Sequence, residues 1–172
     1  MRRAVAIALA AASLLTQSHL ASAAPSPLGP AFPNKGDVYM TTVAASNPIT
    51  TTASFATGFA PIPGFGIPIT IPKGRIADVQ ILFTGEMNSA NAEYVAAVID
   101  GSPTAPGIVQ AFWAFPGGGA TSQAANFTAF LTAGDHTLQM QWGGLGGQQF
   151  MSLRNMLVIV NLRHVTGNPQ VG

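Results

Sequence analysis

The sequence predicts an all-β domain, an antiparallel β-sandwich of about nine or ten strands, and three observations lead there. From Asp37 onward, short apolar or alternating runs follow one another, separated by turn residues. No stretch keeps helical spacing over the dozen or so residues that an amphipathic helix needs. The 172 residues include 19 glycines, 13 prolines and no cysteine, so breaks are frequent and packing must hold the fold without disulfides.

At the N-terminus, Arg2 and Arg3 precede the apolar run Ala4 to Leu15, and Ala21-Ser22-Ala23 follows it. This is the pattern of a cleavable export signal over residues 1–23. The apolar run is shorter than the roughly 20 residues of a bilayer anchor, so no membrane span is expected. The expected location is extracellular, with the periplasm or a cell surface also open. Residues 24–36, with Pro25, Pro27, Pro30 and Pro33, read as an extended arm; 37–165 form the sandwich and 166–172 a short tail.

Loss of the leader removes Arg2, Arg3 and His19. Lys35, Lys73, Arg75, Arg154 and Arg163 then face Asp37, Asp78, Glu86, Glu93, Asp100 and Asp135, a net charge of about minus one. Charged residues are only 8% of the chain, against about 25% in an average domain. With no basic stripe, nucleic-acid binding and polybasic membrane attachment lose their physical basis.

Weak strands are expected at Val38 to Val43 and Ile49 to Thr57. Phe65 to Ile71 reads as a strand that Pro68 confines to an edge or bulge, and Lys73-Gly74 as the turn after it. Ile76 to Met87 is the clearest strand, with Ala77, Val79, Ile81 and Phe83 inward and Asp78, Gln80, Leu82 and Thr84 outward. Ala92 to Asp100 is a strand ended by the turn dipeptide Asp100-Gly101, and Gly107 to Phe115 is another before Pro116 and Gly117-Gly118-Gly119. Ala125 to Leu131, a tight turn at Ala133-Gly134-Asp135, and His136 to Trp142 follow, with Leu138, Met140 and Trp142 inward. Gly143 to Gly147 reads as a flexible loop, and Phe150 to Leu153 and Met156 to Arg163 close the domain.

Met156 to Leu162 departs from the rule of one wet face, being apolar on both sides nearly throughout. Such a strand needs a cover on its outer side. A neighbouring subunit is the simplest; a loop or the N-terminal arm would also serve.

The run Leu131-Thr132-Ala133-Gly134-Asp135-His136-Thr137-Leu138-Gln139-Met140-Gln141-Trp142 resembles a hairpin of bacterial and phage secreted or tail-associated domains. Those domains have a jelly roll similar to the complement globular head and tumour necrosis factor. Arg154 to Val160 resembles their last strand, and Ile69 to Gly74, Ala77 to Gly85 and Val98 to Gly101 match more loosely, so the likeness spans about Asp37 to His164. It implies a ten-strand jelly roll and a compact homotrimer packed on apolar inner faces, and it brings no catalytic residues. No Gly-X-Y repeat lies upstream, so no collagen-like stalk is expected.

Candidate chemistry is sparse. His136 and His164 are too few for a zinc site, and Asp135 and His136, adjacent on a strand, point to opposite faces. Glu86 and Glu93, seven apart across the Asn88-to-Asn91 turn, could form a glycosidase pair only if the fold held them about 5 to 9 Å apart over a cleft. Glu86, Asn88 and Asp100 offer oxygens for calcium without the dense Asp-x-Asp spacing of a dedicated loop. Gly143-Gly144-Leu145-Gly146-Gly147 lacks the Lys-Ser/Thr of a phosphate loop, and Asn126-Phe127-Thr128 is a formal glycosylation sequon inside a strand. Phe112, Trp113, Phe115 and Trp142 belong either to the core or to a partner or ligand surface.

The leading reading is a secreted, non-enzymatic module with a structural or binding role that self-associates, with a trimer favoured. No catalytic residue, metal or cofactor is assigned. A glycan- or cell-surface-binding lectin is the second reading, and a hydrolase built from Glu86, Glu93, Asp100 and His136 the last.

Overall fold

The computed structural model describes residues 37–87, 92–112 and 120–164, which form ten β-strands and no helix. In chain order these are β1 (Val38–Ala45), β2 (Ile49–Thr51), β3 (Ala60–Ile71), β4 (Arg75–Met87), β5 (Glu93–Ile99), β6 (Ser102–Pro103), β7 (Val109–Phe112), β8 (Thr121–Leu131), β9 (Gly134–Gly144) and β10 (Gln149–His164). The expected export signal, arm and tail, the Asn88-to-Asn91 turn, Trp113, Phe115 and the Gly117-to-Gly119 run lie outside the described residues.

Two antiparallel sheets face each other. The first has the order β1-β10-β4-β8, with β2 beside β10; the second has the order β3-β9-β5-β6, with β7 beside β5. The long strands pass back and forth between the sheets, β3 to β4, β8 to β9 and β9 to β10, which is the wrapping of a jelly roll. The expected all-β sandwich is therefore the fold.

Period-two alternation builds the core. Ala77, Val79, Ile81 and Phe83 of β4, Leu138, Met140 and Trp142 of β9, and Met156, Val158, Val160 and Leu162 of β10 are all buried. Phe65 of β3 meets Phe83 of β4 edge to face, with centroids 5.8 Å apart, joining the two sheets. Such a contact adds about 0.5–1.5 kcal/mol beyond its buried area.

Turn chemistry holds where the local signal is strongest. Asp100 and Gly101 both take positive φ, 52° and 81°, the pairing a two-residue type I′ hairpin demands between β5 and β6. At Lys73-Gly74 the Arg75 amide donates to the Pro72 carbonyl at 3.1 Å, closing the turn from β3 to β4. Pro68 lies on β3, an edge strand whose ladder runs only to β9, as its missing N–H requires.

Several boundaries differ from the sequence reading. The strand expected from Ile49 to Thr57 stops at Thr51, because hydroxyls take over the backbone donors: Thr51 Oγ1 accepts from Ala53 N and Thr57 Oγ1 from Ser54 N, both at 3.0 Å. The strand expected from Phe65 begins at Ala60 and carries a bulge between Pro61 and Gly66. Gln139 fills that bulge, its Nε2 donating to Ile62 O at 3.2 Å. Gly143 and Gly144 finish β9 instead of opening the loop.

Two differences are topological. Ala125–Leu131 and His136–Trp142 do not pair as a hairpin, since β8 belongs to the first sheet and β9 to the second. Gly134 and Asp135 start β9, leaving Thr132-Ala133 as a corner between the sheets. Phe150–Leu153 and Met156–Arg163 are one strand, β10, interrupted by an irregularity between Ser152 and Asn155 where Leu153 takes φ 31°. This irregularity turns Arg154 inward, where it is 2% exposed.

Candidate functional site

The residues nominated from the sequence fall in separate parts of the sandwich. Glu86 lies on the outer side of β4, opposite in phase to Phe83 and Met87, and accepts from Ser152 Oγ at 2.8 Å. Glu93 shares the inward phase of Val95 and Ala97, is 1% exposed, and accepts the Phe150 amide through Oε1 at 3.3 Å. Glu86 thus faces outward from the first sheet, while Glu93 points into the space between the sheets. His164 is exposed at the end of β10, away from both.

Asp100 and His136 do meet. The β5–β6 turn presents Asp100 to the start of β9, where His136 Nδ1 lies 2.6 Å from Asp100 Oδ2. Asp100 Oδ1 accepts the Thr137 amide at 2.8 Å, while the Asp100 amide donates to Thr137 O at 3.1 Å. On the other side of the ring, Nε2 lies 3.0 Å from the carbonyl oxygen of Thr132 in the β8–β9 corner. Asp135, next in sequence, turns away and accepts from Thr70 Oγ1 of β3 at 2.7 Å.

The electrostatics follow from those contacts. The His136 ring and the Thr137 amide hold the Asp100 carboxyl below the usual carboxylate range. The same hydrogen bond to Asp100 raises the pKa of His136 against the opposing effect of burial, helped by the Thr132 carbonyl and the charge of Asp135. Both ring nitrogens are thus engaged, Nδ1 by Asp100 and Nε2 by the Thr132 carbonyl, and the ring spans the gap between turn and corner.

At the opposite end of the sandwich, Arg154 enters the space between the sheets. One terminal nitrogen donates to Asn47 O at 2.7 Å and Met151 O at 3.1 Å, the other to Asn47 Oδ1 at 2.9 Å. The guanidinium also lies 5.8 Å from the centroid of the Phe65 ring. Burial lowers its pKa, yet an arginine stays charged across the accessible range. The sequence hinted at this site only as a lone arginine ahead of an apolar strand.

The aromatic candidates divide. Trp142 is a core residue at 1% exposure. Phe55, Phe59 and Tyr94, not singled out from the sequence, cluster outside the second sheet with centroid separations of 5.2 Å for Phe55–Phe59 and 4.8 Å for Phe55–Tyr94. No group of three His, Cys, Asp or Glu residues close enough to hold a metal occurs among the described residues.

The outer face of the first sheet carries an exposed apolar row. Met40 of β1 pairs with Ile159 of β10, and Thr42 with Leu157, which pairs in turn with Leu82 of β4. Met40 is 68% exposed, Val38 54% and Leu82 40%, with Leu157 and Ile159 half-buried between them. Among the described residues no element covers this row, the outer side of the strand read as apolar on both faces. Its charges lie to either side: Asp78 paired with Arg163 at one end and Glu86 at the other.

No protein-family model matches the sequence, and no curated protein does. Among solved structures the chain is similar to a mutant VP2 protein of infectious bursal disease virus from derived T=1 particles, at 18% identity and TM-score 0.43. It is also similar to the structure of the Gt strain of that virus, at 16% identity and TM-score 0.38. Each alignment covers 84% of this chain and 38% of the viral chain, so the chain spans less than half the length of those proteins.

Proposed function

We propose that this chain is an exported, non-enzymatic structural module that self-associates through the outer face of its first sheet, with a trimer favoured. The apolar row Met40–Ile159 and Leu157–Leu82 carries the reading. Contiguous exposed apolar surface on a sheet face is costly in water, and an uncharged centre with charges at its margin has the composition of an interface core. A copy of the same face supplies matching chemistry, and closed symmetry leaves none of it exposed. The trimer and the location outside the cytoplasm come from the sequence: the resemblance to trimeric jelly rolls and the Arg2-to-Ala23 leader pattern.

Sedimentation equilibrium on residues 24–172 tests the reading. The expected mass is a multiple of the subunit at micromolar concentration. Met40→Lys puts an unpaired charge into the contact and raises the dissociation constant about 100-fold or more. Because Met40 is 68% exposed, the variant keeps its fold. A monomeric wild type sinks the proposal, as does a variant that assembles as tightly as the wild type.

A further inference from the structure

His136 is held in a way that specifies its protonation state. Its side chain is 14% exposed, with Nδ1 2.6 Å from Asp100 Oδ2 and Nε2 3.0 Å from Thr132 O. A carboxylate and a carbonyl can only accept hydrogen bonds. Both contacts are hydrogen bonds only when both nitrogens carry hydrogen, so this geometry suits the imidazolium; a neutral ring leaves one nitrogen lone pair facing an oxygen lone pair.

The ring bridges Thr132, four residues before it, and Asp100, 36 residues away, so it joins the β8–β9 corner to the β5–β6 turn. The β5–β6 turn supplies Asp100, the β8–β9 corner supplies Thr132 O, and β9 supplies the ring itself. The charged groups acting on the ring are Asp100 from the turn and Asp135 from its own strand, with Asp135 engaged by Thr70 of β3. The corner contributes a neutral carbonyl. Thus two negative charges act on one imidazolium, and none of the charged groups acting on it is positive.

We propose that His136 is a proton-operated latch: as an imidazolium it pins the β8–β9 corner to the β5–β6 turn, and loss of its proton releases that end of the sandwich. The latch borders a groove also lined by Ser102, Thr104, Phe130 and Thr132, so its release loosens one wall of that groove. Since the folded state binds the proton more tightly, the stabilisation is complete below the ordinary histidine pKa of about 6.5 and is lost as pH rises through the raised folded value. Asp100 sets the acid limit. Its carboxylate is held low, so its contribution is present above the ordinary carboxylate value and is lost as pH falls through the depressed one.

Nitrogen-15 NMR of residues 24–172 reads the latch directly. The His136 ring is expected to show two protonated nitrogens at pH 6.5 and a midpoint above about 6.5. Exchange protection of the Thr137 and Asp100 amides, corrected for intrinsic rate, is expected to fall through the same midpoint. Asp100→Asn supplies a decisive contrast. Its Oδ1 still accepts the Thr137 amide, while its Nδ2 donates to Nδ1 of a neutral ring whose Nε2–H still reaches Thr132 O. The midpoint of the variant should drop below the ordinary value and the alkaline loss of protection should disappear. A wild-type midpoint at or below about 6.5 overturns the latch, as does an Asp100→Asn variant whose midpoint and protection profile match the wild type. If that variant does not fold, the wild-type titration decides alone.

Discussion

Arg154 and His136 perform the same mechanical task at opposite ends of the sandwich, with opposite sensitivity to solvent conditions. Each is a cation held by acceptor oxygens: Asn47 O, Asn47 Oδ1 and Met151 O for Arg154, Asp100 Oδ2 and Thr132 O for His136. Each fastens the end of a β-ladder to the link beyond it, Arg154 the β1–β10 pair to Asn47 and His136 the β5–β9 pair to the Thr132 corner. The guanidinium keeps its charge at any pH the protein can survive, whereas the imidazolium gives up its proton as pH rises through its raised folded pKa. One end is therefore fastened permanently and the other conditionally. The choice of cation, more than the number of hydrogen bonds, decides which.

The largest expected effect is at the permanent end. Arg154→Ala removes three charge-assisted hydrogen bonds and leaves the Met151 and Asn47 oxygens to find other partners. A loss of about 2–4 kcal/mol is expected. Urea denaturation at pH 5.5 and pH 8.5 should give the same decrement at both values, since the deleted group does not titrate between them. A decrement that changes with pH would erase the contrast between the two ends.

A smaller effect measures how closely the permanent end is packed. A Cβ added at Gly143 would lie 2.8 Å from a ring carbon of Phe59 and 3.0 Å from the Ala53 carbonyl oxygen, where the 52–59 segment crosses β9. Gly143→Ala should cost about 1–3 kcal/mol through forced displacement of that segment. Thermal unfolding would register it, and a neutral result would mean that the segment yields freely.

The smallest effect belongs to the conditional end. Thr70→Val deletes an exposed hydrogen bond to Asp135 and should cost about 0.5 kcal/mol or less. Asp135 acts on His136 only through its charge, so the histidine should still titrate above its ordinary value in this variant. Loss of the elevated midpoint would show that the latch depends on Asp135 more than on Asp100.

Particular residues show why some of this was legible beforehand. Ala77, Val79, Ile81 and Phe83 advertise an inward face by alternation, and Asp100-Gly101 advertises its turn because few residue pairs accept two successive positive φ angles. Both signals are local, carried within a few residues. Thr51 and Thr57 were misleading for an equally local reason: threonine favours strands, yet its hydroxyl can capture a backbone amide and end one. The candidate sites were much less legible. Strand alternation already turns Asp135 away from His136, as its bond to Thr70 confirms, but only the fold brings Asp100 to the ring, from 36 residues away. The inward turn of Arg154 depends on the irregularity in β10, which no spacing rule announced.

What the sequence determined by itself was the all-β class, the inward faces of β4 and β9 and the turns at Lys73-Gly74 and Asp100-Gly101, because a period of two and a demanded φ are properties of neighbouring residues. Only the tertiary structure decided which sheet each strand joined. It separated β8 from β9 across the sandwich, made one strand of two apolar runs, placed Glu86 and Glu93 on different sheets, and brought Asp100 to His136. Those outcomes rest on non-local pairing, where a strand's partner is set by how the whole apolar surface closes and by which buried polar groups can be satisfied together.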